Sequence, residues 1–191
     1  MTLVLPSLAV AAFLLPSDAP PLLSSPVFSL ATLNSDGRTN MNMLTYATPV
    51  GIKPQRLWAV SLYRETHTHG NWLRRRTGVL QQLATTQAPL TLCLGGTSGA
   101  ESDKATACEE LGWPWLECPE CGDECLLPGC VTYCRLTQQG ELIDAGSHDV
   151  AICLLERVFV DDTAAGPSGA LSTAALRDAG LITAAGRVAD P

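Results

Sequence analysis

The stretch from Asn40 to Asn71, NMNMLTYATPVGIKPQRLWAVSLYRETHTHGN, limits the folds open to this 191-residue chain more than any other. Its centre, Leu57, Trp58, Ala59, Val60, Ser61 and Leu62, is a nearly unbroken apolar run of strand length. Polar clusters flank it, Asn42 to Thr48 before and Thr66 to Asn71 after. A strand of that length spans roughly 20 Å, so the clusters either lie at its two ends or meet again where a sheet curls into a barrel. The second cluster also reads as a helix entrance. Thr66 or Thr68 can cap a segment that runs through Asn71, Trp72, Leu73 and Arg74 and stops near Gly78. The first N–H groups of a helix lack internal partners and the dipole is positive there, so threonine hydroxyls beside them suit a phosphate. Ordinary helix capping accounts for the same residues without a ligand.

The flanking sequence supplies mostly strands. The first 26 residues contain Pro6, Pro16, Pro20, Pro21 and Pro26 and read as an extended lead-in that packs through its leucines. Val27 to Leu33 reads as a strand, Asn34-Ser35-Asp36-Gly37 as a turn, and Thr39 to Thr48 as the returning strand of a hairpin. Pro49 and Pro54 bracket a loop, and Val79 to Leu83 is a further strand. Ala88 to Leu94 is apolar and of open type, followed by a connector with Gly95, Gly96 and Gly99. That connector lacks the Gly-Lys-Ser/Thr ending of a P-loop and the spacing of a dinucleotide fold. Ser102 or Asp103 can cap a short helix through Leu111. Val131 to Thr137, Leu142 to Ala145 and Val150 to Val160 follow as strands, and Ser172 opens a helix ending at Gly180. About six or seven strands with roughly two to four short helices predict a mostly antiparallel barrel with helical additions. Strands and helices do not alternate, which argues against a parallel Rossmann-type sheet. The expected organisation is a lead-in over 1–26, a barrel over 27–161 and a tail with a short helix over 162–191.

Composition narrows the partners. A chain 46% apolar and 16% charged is globular, and 12 basic against 19 acidic residues give a net charge of −7. That balance argues against nucleic acid or an anionic membrane as the main partner. Arg74, Arg75 and Arg76 form the only basic run, a solvated helix end set against the negative dipole or a contact for a phosphate-bearing cosubstrate. Met1 to Leu15 is apolar, but no Lys or Arg precedes it and Pro6 interrupts it, so a retained segment rather than a signal or membrane span is expected. Eight cysteines in a chain with a core of this size fit a reducing cytoplasm better than a disulfide scaffold.

The order of these motifs resembles the flavin reductase family, whose fold is an FMN-binding split β-barrel. The resemblance runs from about Val27 to Asp161 and rests on Asp36-Gly37, NMNMLTYATPV, LWAVSL, the pattern of Thr66, Thr68 and Asn71, and Gly146-Ser147-His148. It implies FMN, with FAD as the alternative, held by Asn42, Leu44, Thr45, Tyr46, Ala47, Thr66, His67, Thr68 and Asn71. Thr45 and Tyr46 stand where the family carries paired serines, and Tyr46 can stack near the flavin ring or narrow the pocket. Ser147 replaces the aspartate of a Gly-Asp-His motif, and the resemblance gives His148 the catalytic position, orienting the reductant or exchanging a proton. A histidine in a strand can equally be a structural hydrogen bonder. The implied activity is hydride transfer from NAD(P)H to flavin by a homodimer. A flavin or heme carrier without turnover is the alternative on the same barrel.

Relative to that family, CPECGDEC lies in an insertion at about 113–130. Cys118 and Cys121 form a C-x2-C pair, which with Cys125 and Cys130 can supply four thiolates to a structural zinc. Free thiols, a redox-sensitive loop or a zinc-stabilised interaction module remain open, and Cys134 belongs to a barrel strand. His67 and His69 lie two residues apart on the expected helix and diverge.

Overall fold

The structure is a computed structural model and describes residues 21–160 and 169–189. Most of the lead-in and the barrel's expected limit at Asp161 lie outside the described residues. Eight strands form one sheet: β1 (Phe28–Leu33), β2 (Thr39–Leu44), β3 (Ala47–Gly51), β4 (Leu57–Tyr63), β5 (Thr77–Gln82), β6 (Thr132–Gln138), β7 (Ile143–Ala145) and β8 (His148–Phe159). Every pair is antiparallel, in the order β2-β1-β5-β6-β8-β4-β3, with β7 added to β8. β2 and β3 occupy the two ends of that order, yet only Thr45 and Tyr46 separate them in the chain. A link of two residues reaches only about 10 Å, so the sheet has to curl until its ends nearly meet. The mainly antiparallel split barrel expected from the motifs is the fold observed.

Both faces of the sheet are covered, because successive side chains alternate across a strand. Leu30, Leu80 and Leu136 point inward with Phe28, Val60, Leu62 and Ala151. Ala31, Val79, Leu83 and Tyr133 meet a second core on the outer face, built with Leu90, Leu94, Leu127, Leu171 and Leu176. This explains why all six residues of β1 are buried and why the strand lacks a polar alternation.

Helix α1 (His67–Arg75) closes the inner core. Trp72 is fully buried there, and its Nε1 donates to Gln138 Oε1 at 2.8 Å. The helix ends where Arg76 enters the left-handed region at φ 56° and its N–H bonds Trp72 O. Beneath it β1 and β5 pass so closely that a Cβ on Gly78 would lie 2.6 Å from the carbonyl oxygen of Ala31.

Several elements differ from the sequence expectation. The single strand expected from Thr39 to Thr48 breaks at Thr45-Tyr46, because the chain crosses there from one end of the sheet to the other. Pro49 lies inside β3, an edge strand paired only with β4, where a missing N–H does not interrupt a ladder. The apolar stretch of open type becomes a 3-10 turn at Thr85–Leu90 and a π-helical turn at Leu92–Gly96. Asp103 caps α2 (Lys104–Glu110) and Ser172 caps α3 (Thr173–Asp178). The region expected as a tail contributes to the body: Val27 N donates to Leu171 O, Leu171 N to Leu83 O, and Leu171, Leu176 and Ile182 enter the outer core. Among the described residues, no helix is long and apolar enough to cross a membrane.

Candidate functional site

The entrance of α1 follows directly from its sequence. Thr66 keeps an extended conformation and caps the helix: its Oγ1 accepts from His69 N at 3.2 Å and donates to Tyr63 O at 2.7 Å. No acidic residue occupies the first turn, so the positive end of the helix is not neutralised from within. The next positions tie the helix to the β1–β2 turn. His67 Nε2 lies 2.8 Å from Asn34 Oδ1, and Thr68 Oγ1 accepts from Asn40 Nδ2 at 3.0 Å. Asn71 Nδ2 donates to Thr32 Oγ1 at 3.2 Å and to Asn34 Oδ1 at 2.9 Å, while Arg74 donates to Asn71 Oδ1. Thr68 and Asn71 are buried, whereas Thr66 and His67 are half-buried. The two threonines therefore differ: Thr66 stands at the exposed helix start and Thr68 is engaged inside the fold.

A carboxylate fixes the other flank. Asp149 accepts from Arg64 at 2.5 Å and lies 2.8 Å from His69 Nε2, while Arg64 also reaches Asp144 at 3.0 Å. The Arg64 guanidinium, and after it His69, hold the Asp149 carboxyl down at about 2. Ser147 occupies the place of the family's aspartate, but a carboxylate is present one position after His148. Strand alternation turns Asp149 to the opposite side from His148, toward α1. His67 and His69 diverge, one to Asn34 and one to Asp149.

His148 opens β8 and pairs with Tyr63 of β4. Its ring lies 5.1 Å from that of Tyr63 and 5.8 Å from that of Tyr46, and its Nδ1 is 2.9 Å from Ser147 Oγ. Tyr63 O in turn accepts from Thr66 N at 3.1 Å. A continuous line of contacts thus runs from Tyr46 through His148 and Tyr63 to the capped start of α1. Tyr46 is 64% exposed, and among the described residues its ring meets only that of His148. Thr45, Tyr46 and Ala47 line a cleft of about 520 Å³ with Phe28, Trp58 and Val150.

The other expected cofactor residues are placed differently. Asn42 Oδ1 accepts from Leu30 N at 3.3 Å, and Leu44 pairs with Phe28 and packs against the inner core. Neither lines that cleft, nor do Thr66, His67, Thr68 and Asn71. Asn34, Asn40, Arg64 and Asp149 support the site and escaped the sequence reading, because each acts through a partner between 20 and 90 positions away in the chain, a separation with no local pattern to mark it.

The expected zinc site does not form. Among the described residues, no three His, Cys, Asp or Glu side chains gather around a common point. Cys118 and Cys121 sulfurs lie 2.8 Å apart, closer than the roughly 3.7 Å that two thiolates at about 2.3 Å from a tetrahedral ion require. Cys130 is buried with its sulfur 3.5 Å from the Gln87 amide, and Cys125 is fixed by its backbone N–H to Thr39 Oγ1. Irregular spacing after the first pair sends the other two thiols to separate places, and Cys134 lies in β6 as expected.

The start of α1 fits a phosphate monoester: the N–H groups of His67 and Thr68 have no intrahelical partner and no carboxylate lies in that turn, while the Thr66 hydroxyl is taken up by Tyr63 O and His69 N. An antiparallel sheet curled until its two ends nearly meet is the architecture of the FMN-binding split barrels. The chain belongs to the flavin reductase like domain family, whose profile matches residues 21–179. The fold is similar to that of an FMN-binding protein from Thermus thermophilus with bound p-hydroxybenzaldehyde, at 21% identity and a TM-score of 0.67 over 84% of this chain and 90% of that one. It is also similar to the flavoredoxin of Desulfovibrio vulgaris (Miyazaki F), at 18% identity and a TM-score of 0.66 over 93% of this chain and 83% of that one. An NADH:FAD oxidoreductase from Streptomyces globisporus C-1027 matches at 14% identity and a TM-score of 0.62, over 73% of this chain and 77% of that one. A comparison with curated proteins finds no significant match.

Proposed function

We propose that the protein is an FMN-dependent oxidoreductase that works with NAD(P)H. The observation that carries this reading is the line of contacts from exposed Tyr46 through His148 and Tyr63 to Thr66, which sets an aromatic face beside an anion-ready helix start. The first N–H groups of α1, at His67 and Thr68, would hold the phosphate, with Thr66 fixing the turn that aims them, and Thr45, Tyr46 and Ala47 would border the flat ring system. FMN held there would supply the two-electron chemistry, with reduced nicotinamide as the hydride donor. Thr68, His67 and Asn71 fix the helix against β1 and β2, so the phosphate donors stay aimed. His148, its Nδ1 occupied by Ser147, presents the other ring nitrogen for a hydrogen bond or proton near the reacting groups. The protein acts as a homodimer, with exposed Val50 of edge strand β3 and Ile52 just after it available for pairing.

The test is the visible spectrum of the purified protein, followed by anaerobic addition of NADH or NADPH. Flavin bands that bleach on addition support the proposal, and Thr66→Ala should raise the FMN Kd about tenfold, because the cap that aims the first N–H groups at the phosphate is lost. A protein that takes up no flavin, or a Thr66→Ala variant with unchanged affinity, overturns it. Bound flavin without bleaching by either nucleotide assigns a carrier role, and a Soret band assigns heme.

A further inference from the structure

The cysteine pair at 118 and 121 plays no part in the site above, and its geometry has a chemistry of its own. The sequence Cys118-Pro119-Glu120-Cys121 forms a tight turn, with Cys121 N donating to Cys118 O at 2.8 Å. The turn brings the two free thiols to 2.8 Å, inside ordinary sulfur–sulfur contact and one short movement from a bond. The two sulfurs are not equivalent. Cys121 is buried, while Cys118 is half-buried and lines a cavity of about 980 Å³ between the β1–β2 turn, α2 and the cysteine-rich loop.

That cavity is of small-ligand size. Six carboxylates line it, Glu101, Asp103, Glu109, Glu117, Asp123 and Glu124, against two basic side chains. Arg38 is paired with Asp36 and Glu124 with Arg135, while Lys104 donates to Leu94 O and keeps its charge, so the acidic side chains still outnumber the basic ones. The field at Cys118 therefore favours a positively charged visitor and repels an anionic one.

We infer that Cys118 and Cys121 form a redox-active dithiol, with Cys118 attacking a small cationic disulfide that enters the acidic cavity and Cys121 resolving the product. Cys118 thiolate attacks one sulfur of the disulfide R–S–S–R, forming a mixed disulfide and releasing the first thiol, which takes up a proton. Cys121 then loses its proton and attacks Cys118 sulfur, closing the internal disulfide and releasing the second thiol. The two cysteines are oxidised by two electrons and the disulfide is reduced to two thiols. Burial, reinforced by the neighbouring Cys118, pushes the Cys121 thiol up to about 12, which suits a resolving group that stays protonated until its partner has reacted.

Fully reduced protein is treated at low salt with cystamine, a dication, or with anionic oxidised glutathione, and peptides are mapped by mass spectrometry. With cystamine the wild type should form the Cys118–Cys121 disulfide and release two thiols per chain. The rate, normalised to that of a free thiol, should exceed the glutathione rate about tenfold, and the gap should shrink in high salt. Cys121→Ser should retain the mixed disulfide on Cys118, and Cys118→Ser should leave Cys121 unmodified. Oxidation first at another pair such as Cys93 and Cys108, adducts on Cys125 in place of Cys118, or equal normalised rates for the two disulfides would overturn the assignment. The wild-type map decides the matter even where a variant folds poorly.

Discussion

Thr68→Val isolates the contact that joins α1 to the edge of the sheet. Valine matches threonine in shape, so no cavity opens and the change removes only a hydroxyl from a residue 2% exposed. Asn40 Nδ2, which donates to that hydroxyl at 3.0 Å from a residue 4% exposed, then loses its acceptor. A buried donor left unpaired costs about 1–3 kcal/mol. Asn40 also borders the 980 Å³ cavity, where water can approach the freed amide, which places the cost at about 1–2 kcal/mol. For a chain of this size the midpoint of thermal unfolding should fall by about 2–8 °C. Asn40→Leu should destabilise for the reciprocal reason, and the double variant should cost at least about 1 kcal/mol less than the sum of the two, since neither partner is then stranded. Chemical denaturation of the four proteins measures the cycle. Additive single effects would refute the bond between the two side chains, and a Thr68→Val variant as stable as wild type would show that the hydroxyl is not used inside the fold.

The other predictions test neighbouring features. Thr66→Ala removes the helix cap and should cost about 1 kcal/mol in denaturant titration, separately from its effect on flavin. Gly78→Ala should destabilise by about 1–3 kcal/mol or prevent folding, because its new methyl meets a backbone oxygen that cannot yield, and circular dichroism melts report it. Asp149 titrates in the folded protein near 2, below its unfolded range of about 4, so its contribution is fully present above about pH 4 and is lost as pH falls toward 2. Asp149→Asn should therefore flatten the fall in melting temperature over that interval. Burial lowers Lys104 from 10.5 to about 8, so the unfolded chain holds this proton more tightly and the wild type should gain stability as pH rises from about 8 to about 10.5. Lys104→Met should lose that gain, seen as a flatter difference in melting temperature across the same window.

Local chemistry made much of the fold legible. The Leu57–Leu62 run, the Asp36-Gly37 turn and the Ser172 cap all act within a few residues of themselves and appear where the sequence places them, and of the two threonines offered as the cap of α1 it is Thr66 that serves. The break at Thr45-Tyr46 was not legible, because nothing local distinguishes a strand that continues from one that leaves its sheet edge and joins the opposite edge. The four-cysteine zinc expectation failed for a related reason: spacing says which thiols can approach one another, while packing decided that Cys130 is buried beside Gln87 and that Cys121 is the thiol Cys118 meets.

By itself, then, the sequence determined the strand content, the helix start with its surplus of N–H donors, and the resemblance that these motifs carry. Only the tertiary structure decided which threonine caps the helix and which is taken up by Asn40, that Asp149 turns to His69 while the His148 ring lies between two tyrosine rings, and that the acidic residues of two separate segments enclose Cys118. Those outcomes depend on partners brought together by the curl of the sheet. Periodicity and capping are properties of neighbours in the chain, whereas burial, charge pairing and the meeting of two sulfurs with a cavity arise between elements that only the curled sheet sets side by side.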